Sequence, residues 1–114
     1  MSSPSPESNT WVVEAIAGVP TSEPRPSISL GEGGLLTGTT GVNRLVGTYV
    51  AEAERIKVEG TGMTRMAGPP EAMEQERRLL RALEGWQSLR IGNDRLHIGP
   101  AESGLVCVLA QPDR

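Results

Sequence analysis

The chain has 114 residues, which is close to the commonest size of one domain and predicts a single hydrophobic core. Its formal net charge is -3 and only 3% of its residues are aromatic, so it lacks the clustered cationic surface and stacking rings that nucleic-acid binding requires. The single cysteine, Cys107, excludes an internal disulfide and any metal site built from several thiolates, and it favours the cytoplasm.

The sequence has no basic N-terminal segment followed by an apolar run, and nowhere do about 18 apolar residues run together. These features predict neither a signal peptide nor a membrane partner, although a processed exported form would look the same. Residues 1–9 are rich in Ser and Pro and contain no apolar residue after Met1, so we expect a disordered lead-in to a domain of residues 10–114.

From residue 10 onward, short β-prone runs alternate with Gly, Pro and Asn turns. Two prolines predict a loop over residues 21–26, and the Gly-rich residues 31–34 have the spacing of a hairpin loop. Residues 18–20 are predicted to be a turn. Strands are predicted over residues 10–16, 28–30, 35–38, 45–50, 55–59, 88–91, 95–98 and 105–110.

A helix is predicted over residues 71–84, where the apolar period changes from two to about 3.6. Two prolines suit its entrance, acidic residues lie in its first turn, and Gly85 follows its end. Glu76 shares a stripe with the apolar Leu79 and Leu83, so its carboxylate is expected to be at least partly buried.

A buried carboxylate needs a cation or several donors, and Arg44 and Arg65 are the arginines available in nearby predicted loops. We therefore interpret Glu76 as a strut that ties loops to the helix. A proton-transfer role stays open as an alternative, but no second acid or base is placed to share it.

Several short motifs resemble the META domain, a family that includes the heat-inducible HslJ proteins. Trp11 opens the first strand, the motif GVNR at residues 41–44 leads to Tyr49, and the motif TRMAG at residues 64–68 precedes the helix. The resemblance covers residues 10–111. The motif residues to which it assigns a structural role are Trp11, Gly41, Tyr49, Thr64, Met66 and Glu76.

Two positions depart from the family pattern, which usually reads GCNR and TRMAC. This chain has Val42 and Gly68 where the family has cysteines. A paired replacement is expected if the two thiols meet in space, because one leftover thiol could not form a crosslink. The departure argues against a redox role for this chain.

The resemblance implies a small antiparallel β-barrel or strongly curved sheet, lipocalin-like in outline, packed on one α-helix. The predicted elements agree, because about eight strands and one helix provide too few helices for alternating βαβ units. We therefore expect an α+β, mainly β fold.

The predicted loops hold the candidate binding residues. Asn43 is expected to bond its local backbone, as Asn often does in turns. The functional alternative is that Asn43, Arg44 and Arg65 line a site for an anion or a peptide terminus, with Glu76 beside them.

No catalytic or metal-binding constellation is recognisable, and no cofactor is predicted. His97 alternates with apolar residues and is expected to point outward, whereas Cys107 lies in an apolar run typical of a buried, inert thiol. The sequence contains no nucleophile elbow, and its GEGG run lacks the Lys of a phosphate loop.

The sequence favours a non-enzymatic, stress-associated domain that acts by binding an unknown protein or small apolar ligand as a monomer or weak dimer. One alternative is a barrel that binds an apolar molecule or catalyses its cyclisation or isomerisation; another is a protein-interaction or inhibitor module. A filled barrel interior would argue against the first alternative, whereas an open cavity of roughly a few hundred Å³ would favour it.

Overall fold

The computed structural model describes residues 10–100 and 102–110. The expected lead-in over residues 1–9 lies outside the described residues. Along the chain the elements are β1 (Thr10–Ile16), β2 (Val19–Pro20), β3 (Ser27–Leu30), β4 (Leu35–Thr39), β5 (Arg44–Glu52), β6 (Arg55–Met63), α1 (Pro70–Ala82), β7 (Trp86–Ile91), β8 (Arg95–Ile98) and β9 (Leu105–Leu109).

The strands form a closed antiparallel barrel. Each strand from β3 to β8 pairs with the next along the chain, and β1 pairs with both β3 and β9. Trp11 illustrates the closure, because it faces Ile28 on one side and Leu109 on the other. Eight strands thus make the barrel, β2 is an addition to β1, and the predicted mainly β fold is confirmed. Closure also removes the free strand edges on which other chains could pair.

Alternate residues of the strands point inward and fill the barrel. Trp11 is fully buried, and the ring of Tyr49 is buried while its hydroxyl donates to the Gly31 carbonyl over 2.9 Å. Such a partner is what a buried phenol requires. The other inward side chains from the barrel strands are those of Val13, Ile16, Ile28, Leu30, Leu36, Leu45, Ile56, Leu96, Ile98, Leu105 and Cys107.

Helix α1 connects β6 to β7 across one end of the barrel. It begins one residue before the predicted range and ends two residues earlier, with Pro70 in its first turn and Gly85 beyond it at a φ of 67°. Leu79 and Ala82 extend its apolar face into the barrel core. Among the described residues, no helix is long and apolar enough to cross a membrane.

Most predicted strands differ from the structure by one or two residues at an end, and two predicted segments differ more. Strand β6 continues to Met63 instead of ending at residue 59, because a register shift opposite residues 46–48 and a left-handed Gly60 let pairing with β5 resume. Val19 and Pro20 form strand β2 rather than a turn, and the tight turn lies at Ala17 and Gly18, both with positive φ.

We expect Leu79→Ala to lower the free energy of unfolding by about 2–5 kcal/mol, because it leaves a cavity where the helix enters the core. Leu35→Ala is the matched control, since Leu35 is 48% exposed on β4, and a change within about 0.5 kcal/mol is expected. Urea unfolding of the two variants measures both values. Equal losses would show that α1 does not seal the core.

Candidate functional site

Three segments meet at the barrel end that α1 covers. They are the β4–β5 loop at residues 40–43, the segment at residues 64–69 that follows β6, and the helix itself. The side chains of Thr40, Asn43, Thr64 and Glu76 join them, and we call these four residues the polar cluster. Within this cluster Thr40, Asn43 and Glu76 are buried.

Thr40 organises the β4–β5 loop. Its hydroxyl oxygen accepts from the backbone N–H of Asn43 over 2.9 Å and of Val42 over 3.3 Å. The hydroxyl hydrogen is donated to Glu76 Oε2 over 2.6 Å. Sequence reasoning missed Thr40, although a Thr directly before Gly41 is a signal for a side-chain-stabilised turn.

Asn43 uses both ends of its amide to connect the three segments. Its Nδ2 donates to Glu76 Oε2 over 2.8 Å and to the Met66 carbonyl over 3.1 Å. Its Oδ1 accepts from the Met66 N–H over 2.6 Å and from the Thr64 hydroxyl over 3.0 Å. The expectation that Asn43 bonds its local backbone is wrong, because Thr40 already serves the turn and the Asn43 amide points across to the next loop.

Glu76 is 6% exposed, and its Oε2 accepts from Thr40 and Asn43. Within the part of the chain that the structure describes, it forms no ion pair, and both Arg44 and Arg65 are exposed. The prediction that Arg44 or Arg65 pairs with Glu76 is therefore wrong. Thr40 and Asn43, which are buried neutral donors, hold the carboxylate instead. An arginine partner would have added the cost of desolvating a second charge.

The other carboxylate oxygen, Glu76 Oε1, receives no hydrogen bond from residues 10–100 or 102–110. In these ranges, every side-chain nitrogen or oxygen that is fully shielded from solvent has a hydrogen-bond partner. Oε1 has no partner there, so it must be at least partly accessible to solvent. Glu76 is part of the lining of a surface cleft of about 500 Å³, which we call the Glu76 cleft. Its lining includes Met63, Arg65, Met66, Met73, Glu76 and Leu80.

Arg44 lies beside this cleft rather than in it. Its backbone N–H donates to the Thr64 hydroxyl oxygen over 2.9 Å, while its side chain is exposed at the start of β5. On this outer surface, the exposed apolar side chains near Arg44 are those of Val46 and Met66. The four candidate binding residues therefore divide into a buried pair, Asn43 and Glu76, and two exposed arginines.

Gly41 has a structural reason for its place in the loop. Its φ is 98°, and a Cβ on it would lie 2.4 Å from the Pro24 carbonyl oxygen. Only glycine fits a left-handed backbone this close to a neighbouring chain segment. The β4–β5 loop is thereby packed against the β2–β3 loop, which contains Pro24.

Cys107 and His97 do not form a reactive pair. Cys107 is fully buried opposite Leu96 on β8, and its neighbour His97 therefore points to the other face of the sheet. Burial, with a smaller effect from Glu14, raises the pKa of the Cys107 thiol to about 12. The thiol stays protonated at neutral pH and is not a nucleophile. Among the described residues, no three His, Cys, Asp or Glu side chains gather as metal ligands.

Among known protein families, the model of the META domain matches residues 6–113 of this chain. The chain belongs to the META domain family. None of the curated proteins matches its sequence.

Solved structures share the fold of this META domain. A protein determined by NMR is 24% identical, with a TM-score of 0.72 over 89% of this chain and 88% of that chain. An NMR structure of a protein from Burkholderia xenovorans is 17% identical, with a TM-score of 0.70 over 98% of this chain and 92% of that chain. At these identities the likeness concerns the fold alone.

The two positions that depart from the implied cysteine pattern of the META domain are in contact. A Cβ on Gly68 would lie 3.1 Å and 3.3 Å from the two methyl carbons of Val42. The valine side chain occupies the space beside the glycine, so the loops touch here without a covalent link. In this chain, hydrogen bonds of the polar cluster hold the same two loops together.

We expect Thr40→Val to lower the free energy of unfolding by about 1–3 kcal/mol, because two loop amides lose their acceptor and Glu76 loses a donor. Thr48→Val is the matched control, since the Thr48 hydroxyl bonds the Glu59 carbonyl at an exposed position, and a change within about 0.5 kcal/mol is expected. Chemical denaturation measures both. The same unfolding midpoint for the two variants would contradict a central role for Thr40.

Proposed function

We propose that this META domain is a non-enzymatic binding domain whose ligand enters the Glu76 cleft. The observation that carries the proposal is the buried Glu76 carboxylate in the cleft lining, with one oxygen held by Thr40 and Asn43 and the other without a hydrogen bond from the described residues. A buried polar group in a cleft that also presents methionine and leucine side chains is a common composition of a small-molecule site.

The filled barrel interior supports binding at this surface cleft. Trp11 and Leu45 are both fully buried inside the barrel, and Leu80 is half-buried at the cleft. The interior therefore offers little support for a barrel that encloses an apolar ligand and steers its cyclisation. Catalysis by Glu76 also lacks support, because its bonded partners Thr40 and Asn43 are neutral and do not titrate near neutral pH.

The candidate residues take different parts in this proposal. Glu76 is the polar contact for the ligand, and Asn43 orients it by bonding Oε2. Arg65 lies in the lining as an exposed cation. Met73 is fixed in the wall, because its sulfur accepts from the Gly68 N–H over 3.4 Å.

A fragment library titrated into ¹⁵N-labelled protein tests the location of the site. We expect hits to shift the amide signals of residues 61–67 and of the inner face of α1. A second open cleft of about 440 Å³, between β2 and the first half of α1, is an internal control of similar size. Hits that shift only signals around Val19 and Gln75, or an absence of hits, would contradict the proposal.

A second candidate function is suggested by the surface around Arg44. Val46 is 46% exposed and Met66 is 61% exposed, so two apolar side chains are presented beside a cation. Large exposed apolar side chains next to an Arg are typical of protein interfaces. We infer a protein-interaction role in the stress response as the alternative, with a partner that presents an acidic side chain to Arg44.

Pull-down from heat-stressed and unstressed cells tests this alternative. We expect a partner to be enriched after stress and to be lost with Arg44→Ala. Arg90→Ala is the matched control, since Arg90 is exposed on β7, away from the covered barrel end. Equal recovery by both variants would exclude the Arg44 surface, and equal recovery from both lysates would contradict the stress role.

A further inference from the structure

We propose that the Glu76 cleft selects a singly charged organic amine that carries an apolar group. This inference rests on the proposed function and names the class of its ligand. The Glu76 side chain is only 6% exposed, and its Oε1 is an acceptor that receives no hydrogen bond from the described residues.

The charge of Glu76 favours a cationic ligand. Its carboxylate is held by two neutral donors, Thr40 and Asn43, and by no cation among residues 10–100 and 102–110. A buried charge without a counter-charge is costly, and a hydrogen bond between two ions is roughly twice as strong as one between neutral groups. An ammonium group on Oε1 would supply both the missing hydrogen bond and the missing charge.

The walls of the cleft favour an apolar body on that amine. Met63, Met73 and Leu80 are half-buried in the lining, and Met66 is exposed in it. Methionine side chains adapt to irregular shapes and make favourable contacts between sulfur and aromatic rings. An aryl or branched alkyl group would cover these apolar side chains and exclude water from them, whereas a small hydrated ion would leave them in contact with water.

Arg65 limits the ligand to one positive charge. It is an exposed cation in the same lining as Glu76, so a polyamine would bring a second ammonium toward like charge. A metal ion is also disfavoured. The hard cations Ca²⁺ and Mg²⁺ require several oxygen ligands and favour carboxylates, and Glu76 is the single carboxylate in this lining, which also holds the cation Arg65.

The test compares three molecules that share one skeleton: phenylpropylamine, phenylpropanol and phenylpropionate. Each is titrated into ¹⁵N-labelled protein at neutral pH, and cleft amide shifts provide the dissociation constant. We expect the amine to bind about tenfold more tightly than the alcohol, and the anion to bind most weakly.

Two variants assign the preference to the charges of the cleft. Glu76→Gln keeps the shape but removes the charge, and because Thr40 and Asn43 hold its amide oxygen, it presents an NH2 donor to the cleft in place of Oε1. The amine should then bind no more tightly than the alcohol. Arg65→Ala, at an exposed position that leaves the fold intact, should tighten amine binding about two- to threefold at low salt, because a nearby like charge is removed. Amine binding that neither variant changes would overturn the inference.

The outcomes separate this inference from the proposed function. Equal affinities for the amine and the alcohol at the cleft would overturn amine selection while leaving a binding cleft in place. Tighter binding of the anion than of the amine would also overturn amine selection, and it would assign ligand recognition to Arg65. If neither these compounds nor the fragment library shift cleft amides, both the inference and the proposed function fail.

Discussion

The hydrogen bonds that Thr40 and Asn43 donate to Glu76 hold one end of this barrel together. They connect the β4–β5 loop to the helix, and the same Asn43 amide continues the connection to Thr64 and Met66. A carboxylate that is buried in this way stabilises a unique arrangement only while its donors stay in place, because a partly satisfied polar group in a core is costly. The loops, the helix and the cleft beside them therefore depend on one small set of buried polar groups.

Apart from the polar cluster, the barrel is packed as a closed sheet around an apolar core. Closure through β1 and β9 removes the strand edges, and the interior is filled by Trp11 and the aliphatic side chains around it. Because these side chains occupy the centre, we propose recognition at the covered end of the barrel and not inside it. The covered end combines a cleft, a buried acid and two exposed arginines, and binding at this end is the interpretation that makes use of all of them.

The sequence predicted most of the strands because their apolar residues alternate clearly. Strand β8 at Arg95–Ile98 agrees with its predicted bounds, and α1 differs from its predicted range by one and two residues at its ends. Strand β6 was predicted too short, because the clear alternation ends at Glu59, where a left-handed Gly60 lies in the bulge opposite β5 and pairing then resumes. The motifs of residues 41–44 and 64–68 pointed to the META domain, but not to the contacts between them.

By itself, the sequence determined a mainly β chain, a helix after two prolines, and an acid on the inner side of that helix, because these follow from periodicity along a single segment. Only the tertiary structure decided which groups bond that acid. The partners Thr40 and Asn43 are 36 and 33 residues away from Glu76, and their selection over two arginines depends on how loops pack at the barrel end. Local spacing carries no information about such contacts, since they exist only once the closed sheet has brought distant loops together.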